Sequence, residues 1–203
     1  MKKNSAVLLA ACAAASLIAL PAAAQSSAEG PWLVRVRAVN LDAANKDSTG
    51  LGLSMNDKTI PEVDISYFFT PNIATELVLT VPQKQTLSSS VLGGPIGSFK
   101  HLPPTLTVQY HFAPGASVRP YVGAGVNYTR FSSVNLPAGV DIDRNSFGLA
   151  LQAGVDIPLT RNLSLNFDVK KVQIRTDVSA AGTKIGTFKA DPVLFGVGLG
   201  WRF

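Results

Sequence analysis

The chain has 203 residues, 46% of them hydrophobic and 15% charged, with 18 Lys and Arg against 13 Asp and Glu for a formal net charge of +5. That length suits one domain, and without a basic run, a basic helix or aromatics set among cations the composition excludes a nucleic-acid-binding role. Beyond the N-terminal region no apolar run reaches the roughly 18 to 20 residues of a helical span, so a membrane-spanning form of this chain has to be a closed barrel.

Met1-Lys2-Lys3 forms a short positive region, residues 6–20 are apolar and uncharged, and Pro21-Ala22-Ala23-Ala24 offers a small-residue cleavage site before Gln25. This is the pattern of a secretory signal peptide, too short for a transmembrane helix and lacking a stop-transfer flank. Residues 1–24 are therefore expected to be removed, leaving 25–203 as a single domain. Losing Lys2 and Lys3 takes the formal charge from +5 to +3. Leu9-Ala10-Ala11-Cys12 also resembles a lipoprotein cleavage box, which would leave a lipidated Cys12. The apolar run continues past it to Leu20, which favours cleavage after Ala24. The only cysteine then leaves with the signal, and with it any disulfide or thiol chemistry.

Alternating apolar and polar residues predict eight strands. In 32–39, Trp32, Val34, Val36 and Ala38 oppose Arg35 and Arg37. In 62–69, Val63, Ile65, Tyr67 and Phe69 oppose Glu62, Asp64 and Ser66. After the Thr70-Pro71-Asn72 turn, 73–81 sets Ile73, Leu77 and Leu79 against Ala74, Glu76 and Val78. In 105–112, Leu106, Val108, Tyr110 and Phe112 oppose Thr105, Thr107, Gln109 and His111. Segments 121–129, 146–157 and 163–169 continue the pattern, with Asp156 and Asp168 on the polar face. The last strand, 193–203, carries Val193, Phe195, Val197, Leu199, Trp201 and Phe203 on one face and Leu194, Gly196, Gly198, Gly200 and Arg202 on the other.

Long segments (40–61, 82–104, 130–145, 170–192) alternate with short ones (70–72, 113–120, 158–162). The fold class expected is all-β, an eight-stranded antiparallel transmembrane β-barrel with short periplasmic turns, long extracellular loops and both termini periplasmic. Aromatic residues near strand ends, among them Trp32, Tyr67, Phe69, Tyr110, Phe112, Tyr128 and Trp201, would form interfacial girdles. Arg35, Arg37, Glu62, Asp64, Glu76, Gln109, His111, Asp156, Asp168 and Arg202 would point inward. An eight-stranded interior is just wide enough for side chains to fill or to hold one small ligand, so Arg35 and Arg37 are expected to pair with Glu62 and Asp64. A closed barrel has no free edge, which makes a monomer the default. The aromatic end at Phe203 resembles the sorting signal read by the barrel-assembly machinery.

Gly30-Pro31-Trp32-Leu33-Val34-Arg35-Val36-Arg37, Tyr67-Phe68-Phe69-Thr70-Pro71-Asn72-Ile73-Ala74, His101-Leu102-Pro103-Pro104-Thr105-Leu106, Gln109-Tyr110-His111-Phe112, Arg119-Pro120-Tyr121-Val122-Gly123-Ala124-Gly125 and the final Trp201-Arg202-Phe203 occur in this order over nearly the whole mature chain. In these strings the sequence resembles the outer membrane protein W family. The resemblance implies a narrow, largely apolar channel that passes small hydrophobic molecules across the outer membrane. It also brings, for some members, roles as phage or colicin receptors or in stress responses.

The long segments fit that implication. Leu51, Leu53 and Met55 in the first, and Leu92, Ile96 and Phe99 in the second, would line an apolar entrance or else pack the loops together. Pro103-Pro104 would interrupt strand pairing and open a lateral way into lipid. No nucleophile motif accompanies His101 or His111, and two isolated histidines without cysteine do not form a metal-ligand set. No catalysis, metal or cofactor is expected. The sequence leaves two readings: a channel for small hydrophobic solutes in outer-membrane lipid, or a closed barrel acting in structure or surface recognition.

Overall fold

The computed structural model describes residues 30–203, so the expected signal peptide and Cys12 lie outside the described residues. The strands are β1 Trp32–Asp42, β2 Lys46–Asp47, β3 Leu53–Met55, β4 Lys58–Phe68, β5 Ile73–Leu79, β6 Gln83–Ser89, β7 Gly94–Leu102, β8 Thr105–His111, β9 Arg119–Asn135, β10 Val140–Ile142, β11 Asn145–Pro158, β12 Leu163–Val172, β13 Arg175–Ala180, β14 Thr183–Lys189 and β15 Val193–Arg202. Eight of them, in the order β1-β4-β5-β8-β9-β11-β12-β15, pair antiparallel with their neighbours, and β15 pairs with β1 to close the barrel. Every expected strand is present. Among the described residues no helix is long and apolar enough to cross a membrane.

The alternation dictates which face each residue takes. Val36, Val63, Leu77, Leu106, Val126, Leu151, Val197 and Leu199 lie exposed on the outer wall, while Arg35, Arg37, Asp64, Glu76, Thr107, Gln109 and Asn166 are buried inside. Trp32, Tyr67 and Phe69 pack edge to face in a row near the end that carries Gly30 and Phe203, and Tyr110 meets Phe112 in the same way. This is the near end of the barrel.

At the far end the long segments are not simple loops. β6 and β7 form a hairpin that carries the wall outward, with β7 paired to the extension of β9 and β3 paired to β6. A second sheet runs β10-β13-β14-β2. The inner face of β6 reads Gln83, Gln85, Leu87, Ser89, so its burial pattern alternates although its hydropathy does not. Between the two sheets lies the main apolar core, containing Leu41, Leu53, Met55, Leu87, Phe99, Phe131, Ile142, Val178 and Phe188.

Inside the barrel, large residues face glycines across the ladder. Arg35 is opposite Gly200, Arg37 opposite Gly198 and Tyr121 opposite Gly154. A Cβ at Gly198 would stand 2.1 Å from the Val36 carbonyl oxygen and 2.7 Å from Arg37 Cα, both backbone atoms that cannot move aside. Gly198→Val is expected to lower folded stability by about 1–3 kcal/mol through overpacking. Urea unfolding of the bilayer-inserted protein, followed by its gel-mobility shift, measures it.

Candidate functional site: a charged plug and an unpaired stretch of wall

The barrel is filled at mid-height by a buried ion network. Arg35 reaches Asp64 at 3.3 Å, Glu76 at 3.0 Å and Asp156 at 2.7 Å. Arg37 reaches Glu62 at 3.0 Å, Asp64 at 2.7 Å and Asp168 at 3.5 Å. Both arginines are fully enclosed. Lys170, which sequence reasoning left in a loop because its strand was expected to stop at Val169, adds a third buried cation 3.4 Å from Glu62. Neutral donors complete the set. Gln152 donates to Glu76 and Asp168, the Tyr121 hydroxyl donates to Asp168 at 2.8 Å, and Asn166 donates to Asp156 at 2.9 Å. Five carboxylates thus share three cations, with ion-pair contacts in place of hydrogen bonds at Arg37 Nη2 and Asp64 Oδ2.

His111 and Arg202 sit below this plug. The His111 ring stacks on Tyr121 with centroids 5.0 Å apart, and its Nε2 lies 3.1 Å from Gln109 Oε1. The Arg202 guanidinium lies over the Phe68 ring, 3.8 Å from its centroid, and its Nε donates to the Gly30 carbonyl. Together they line a cavity of about 30 Å³ at the near end. Two smaller cavities lie above the plug. One, of about 20 Å³, is lined by Leu41, Ile60, Glu62, Thr80, Lys170 and Leu194. The other, of about 10 Å³, sits among Met55, Phe99, His101, Phe131, Ile174 and Phe188. All three are small, and the buried ion network fills the lumen between the near-end cavity and the two above it.

The entrance residues take different places. Leu53, Met55 and Phe99 are buried in the far-end core, with Leu51 and Ile96 partly buried against it. Leu92 is exposed at the tip of the β6–β7 hairpin. Pro103 and Pro104 stand where the wall passes from β8 to β7, and both strands remain paired to β9. The Asn127 side chain donates to both proline carbonyls, at 3.2 and 3.1 Å, and the Tyr128 amide donates to that of Pro104. The wall is sealed there.

The break lies elsewhere. β4 pairs with β5 only from Val63 onward, and β6 pairs only with β7 and β3, so residues 58–62 of β4 face residues 80–85 with no ladder between them. Pro61 and Pro82, which lack an N–H to donate, flank this gap. Three side-chain bonds span it: Thr80 Oγ1 to the Pro61 carbonyl at 2.9 Å, Lys58 Nζ to the Lys84 carbonyl at 3.4 Å, and the Thr86 amide to Asn56 Oδ1 at 2.7 Å. Ile60 and Thr80, beside the gap, also line the cavity above the plug. Two buried polar groups at this level lack hydrogen-bond partners, both ends of the Gln85 amide and His101 Nε2. Burial, with Lys58 nearby, lowers the His101 pKa to about 4, which keeps the ring neutral at pH 7.

Arg35→Met leaves Asp64, Glu76 and Asp156 short of a cation. It is expected to destabilise the barrel by about 3–5 kcal/mol, with part of the loss recovered when Asp64→Asn and Asp156→Asn are added, as coupled sites require. Urea midpoints of the single and combined variants measure it. For His101 the folded pKa lies below that of the unfolded chain, so its contribution is complete above about pH 6.5 and is lost as pH falls toward 4. His101→Gln should flatten the fall in the urea midpoint between pH 7 and pH 4.5.

The family model of the OmpW family matches residues 29–203. The chain is 41% identical over 184 residues to the outer-membrane protein y4mB of Sinorhizobium fredii, covering 85% of this chain and 80% of that one. It is 34% identical to outer membrane protein W of Vibrio cholerae over 95% and 98% of the two chains. It is 29% identical to the dibenzothiophene metabolism operon protein PahQ of Pseudomonas aeruginosa over 86% and 90%. The crystal structure of OprG from Pseudomonas aeruginosa superposes with a TM-score of 0.75 at 26% identity, covering 86% of this chain and 97% of that one. With its closed eight-stranded wall, the chain belongs to the OmpW family and is an integral outer-membrane β-barrel.

Proposed function

We propose that the protein is a passive, non-enzymatic route for small hydrophobic molecules across the outer membrane. Solutes enter at the far, extracellular end and leave sideways between β4 and β6. The observation that carries this reading is the coincidence of a mid-barrel plug with an unpaired stretch of wall directly above it. A solute that reaches the cavity beside Ile60 meets a buried ion network below and only side-chain bonds to the side. An apolar molecule gains nothing from the charged plug, whereas leaving toward lipid keeps it in an apolar medium. A relative from a dibenzothiophene metabolism operon supports the solute class. Leu53, Met55 and Phe99 then act as the closed constriction at the top of the route, with Leu51, Ile96 and the exposed Leu92 around its mouth. Pro103 and Pro104 shape the wall beside it without forming the exit.

Two experiments test the route. Phe99→Ala removes a ring from the constriction and should raise uptake of a small aromatic hydrocarbon several-fold while the barrel stays folded by gel mobility. Cysteines at Asn56 and Thr86, whose positions are bonded across the gap, should form a cross-link in the mature chain. Oxidation should then reduce uptake and a reductant restore it. Uptake indifferent to a confirmed cross-link would remove the lateral exit, and absence of uptake in the wild-type protein would favour a surface-recognition barrel.

A further inference from the structure

On the outer wall at the far end, β6, β7 and β9 present Lys84, Lys100 and Arg130, all exposed. The register sets Lys84 directly opposite Lys100 on one face, and Arg130 is paired with Leu102, two residues from Lys100. Like charges directly opposite on a sheet destabilise it. No carboxylate forms an ion pair with any of the three among the described residues, whereas three other far-end cations are matched, Arg144 to Asp141 at 2.8 Å, Arg175 to Asp191 at 3.1 Å, and Lys184 to Asp177. Immediately below this basic patch the outer wall is apolar. Tyr128 precedes Arg130 by two residues on the same face, and Val81, Leu79, Leu106 and Phe147 are all exposed there. The patch therefore stands where the lipid-facing band gives way to the headgroup layer.

We propose that Lys84, Lys100 and Arg130 form a binding site for the phosphorylated headgroup of an outer-leaflet glycolipid, whose acyl chains lie on the apolar wall beneath. Lysine and arginine supply charge-assisted donors suited to phosphate oxygens, and cations spread over three strands match a headgroup with two separated phosphates. The outward placement rests on the far end being extracellular, as in the reading above. Bound lipid would brace the β6–β7 hairpin, the free side of the lateral gap.

Native mass spectrometry of the refolded mature protein in detergent tests the site, with bis-phosphorylated lipid A, its dephosphorylated form and phosphatidylglycerol as probes. Wild-type protein should retain lipid A in preference to both others. Replacing Lys84, Lys100 and Arg130 by Gln should weaken retention at least about tenfold, equivalent to ~1.4 kcal/mol. Arg144→Gln should change nothing. Equal retention of the dephosphorylated lipid, or retention unchanged in the triple variant, would overturn the site. Preference for phosphatidylglycerol would instead overturn the assignment of the far end to the outer leaflet. Full competition by equimolar inorganic phosphate would reduce the patch to a general anion site and overturn its lipid specificity.

Discussion

Two guanidinium groups buried at the centre of an eight-stranded barrel constrain most of what surrounds them. A charge removed from water has to be paired and hydrogen-bonded, and Arg35 and Arg37 are answered by carboxylates from β4, β5, β11 and β12. The ion network thus ties together strands far apart around the wall. It also demands room, which Gly198 and Gly200 on β15 supply across the ladder. The C-terminal strand is glycine-rich on its inner face because that face lies against the arginines.

A filled centre divides the interior in two. Below the plug, His111, Tyr121, Phe68 and Arg202 make a mixed polar and aromatic floor. Above it Thr105, Asn127, Thr129 and Ser146 still line the interior, and beyond them the wall extends into ribbons that cover the main apolar core. A straight water-filled pore is incompatible with such a plug, and in the reading proposed above the far-end apolar core beside an unpaired wall suits solutes that prefer lipid to water. The proline pair flanking that gap has a local cause. Pro61 and Pro82 each remove a donor from facing stretches, so the ladder cannot close there, and side chains from Asn56, Lys58 and Thr80 take its place.

Much of this was legible in the sequence wherever one face of a strand is apolar. Alternation gave all eight barrel strands and put Arg35 and Arg37 on the same inner face as Glu62 and Asp64, while the register that sets Arg35 against Asp64 and Arg37 against Glu62 comes from the folded wall. It failed where both faces are polar enough to hide the period. The inner set of β6, Gln83, Gln85, Leu87 and Ser89, shows no hydropathic alternation although it is buried. Lys170 escaped notice for the same reason, since a lysine after an apolar run reads as a strand end and not as the third cation of a network. Pro103-Pro104 drew attention as a double proline, yet Asn127 repairs that site. The unpaired stretch of wall lies at two separate prolines, Pro61 and Pro82, which only the folded wall brings to one gap.

The most direct measurement is solute flux into vesicles whose outer leaflet is lipopolysaccharide and which carry the refolded mature protein, comparing a small aromatic hydrocarbon with a sugar of similar size. Hydrocarbon flux well above protein-free vesicles, with the sugar at background, is the expected result of a plugged barrel with an apolar upper route. Equal flux of the two solutes would contradict it, because a sugar can cross only if the Arg35 and Arg37 network opens to water.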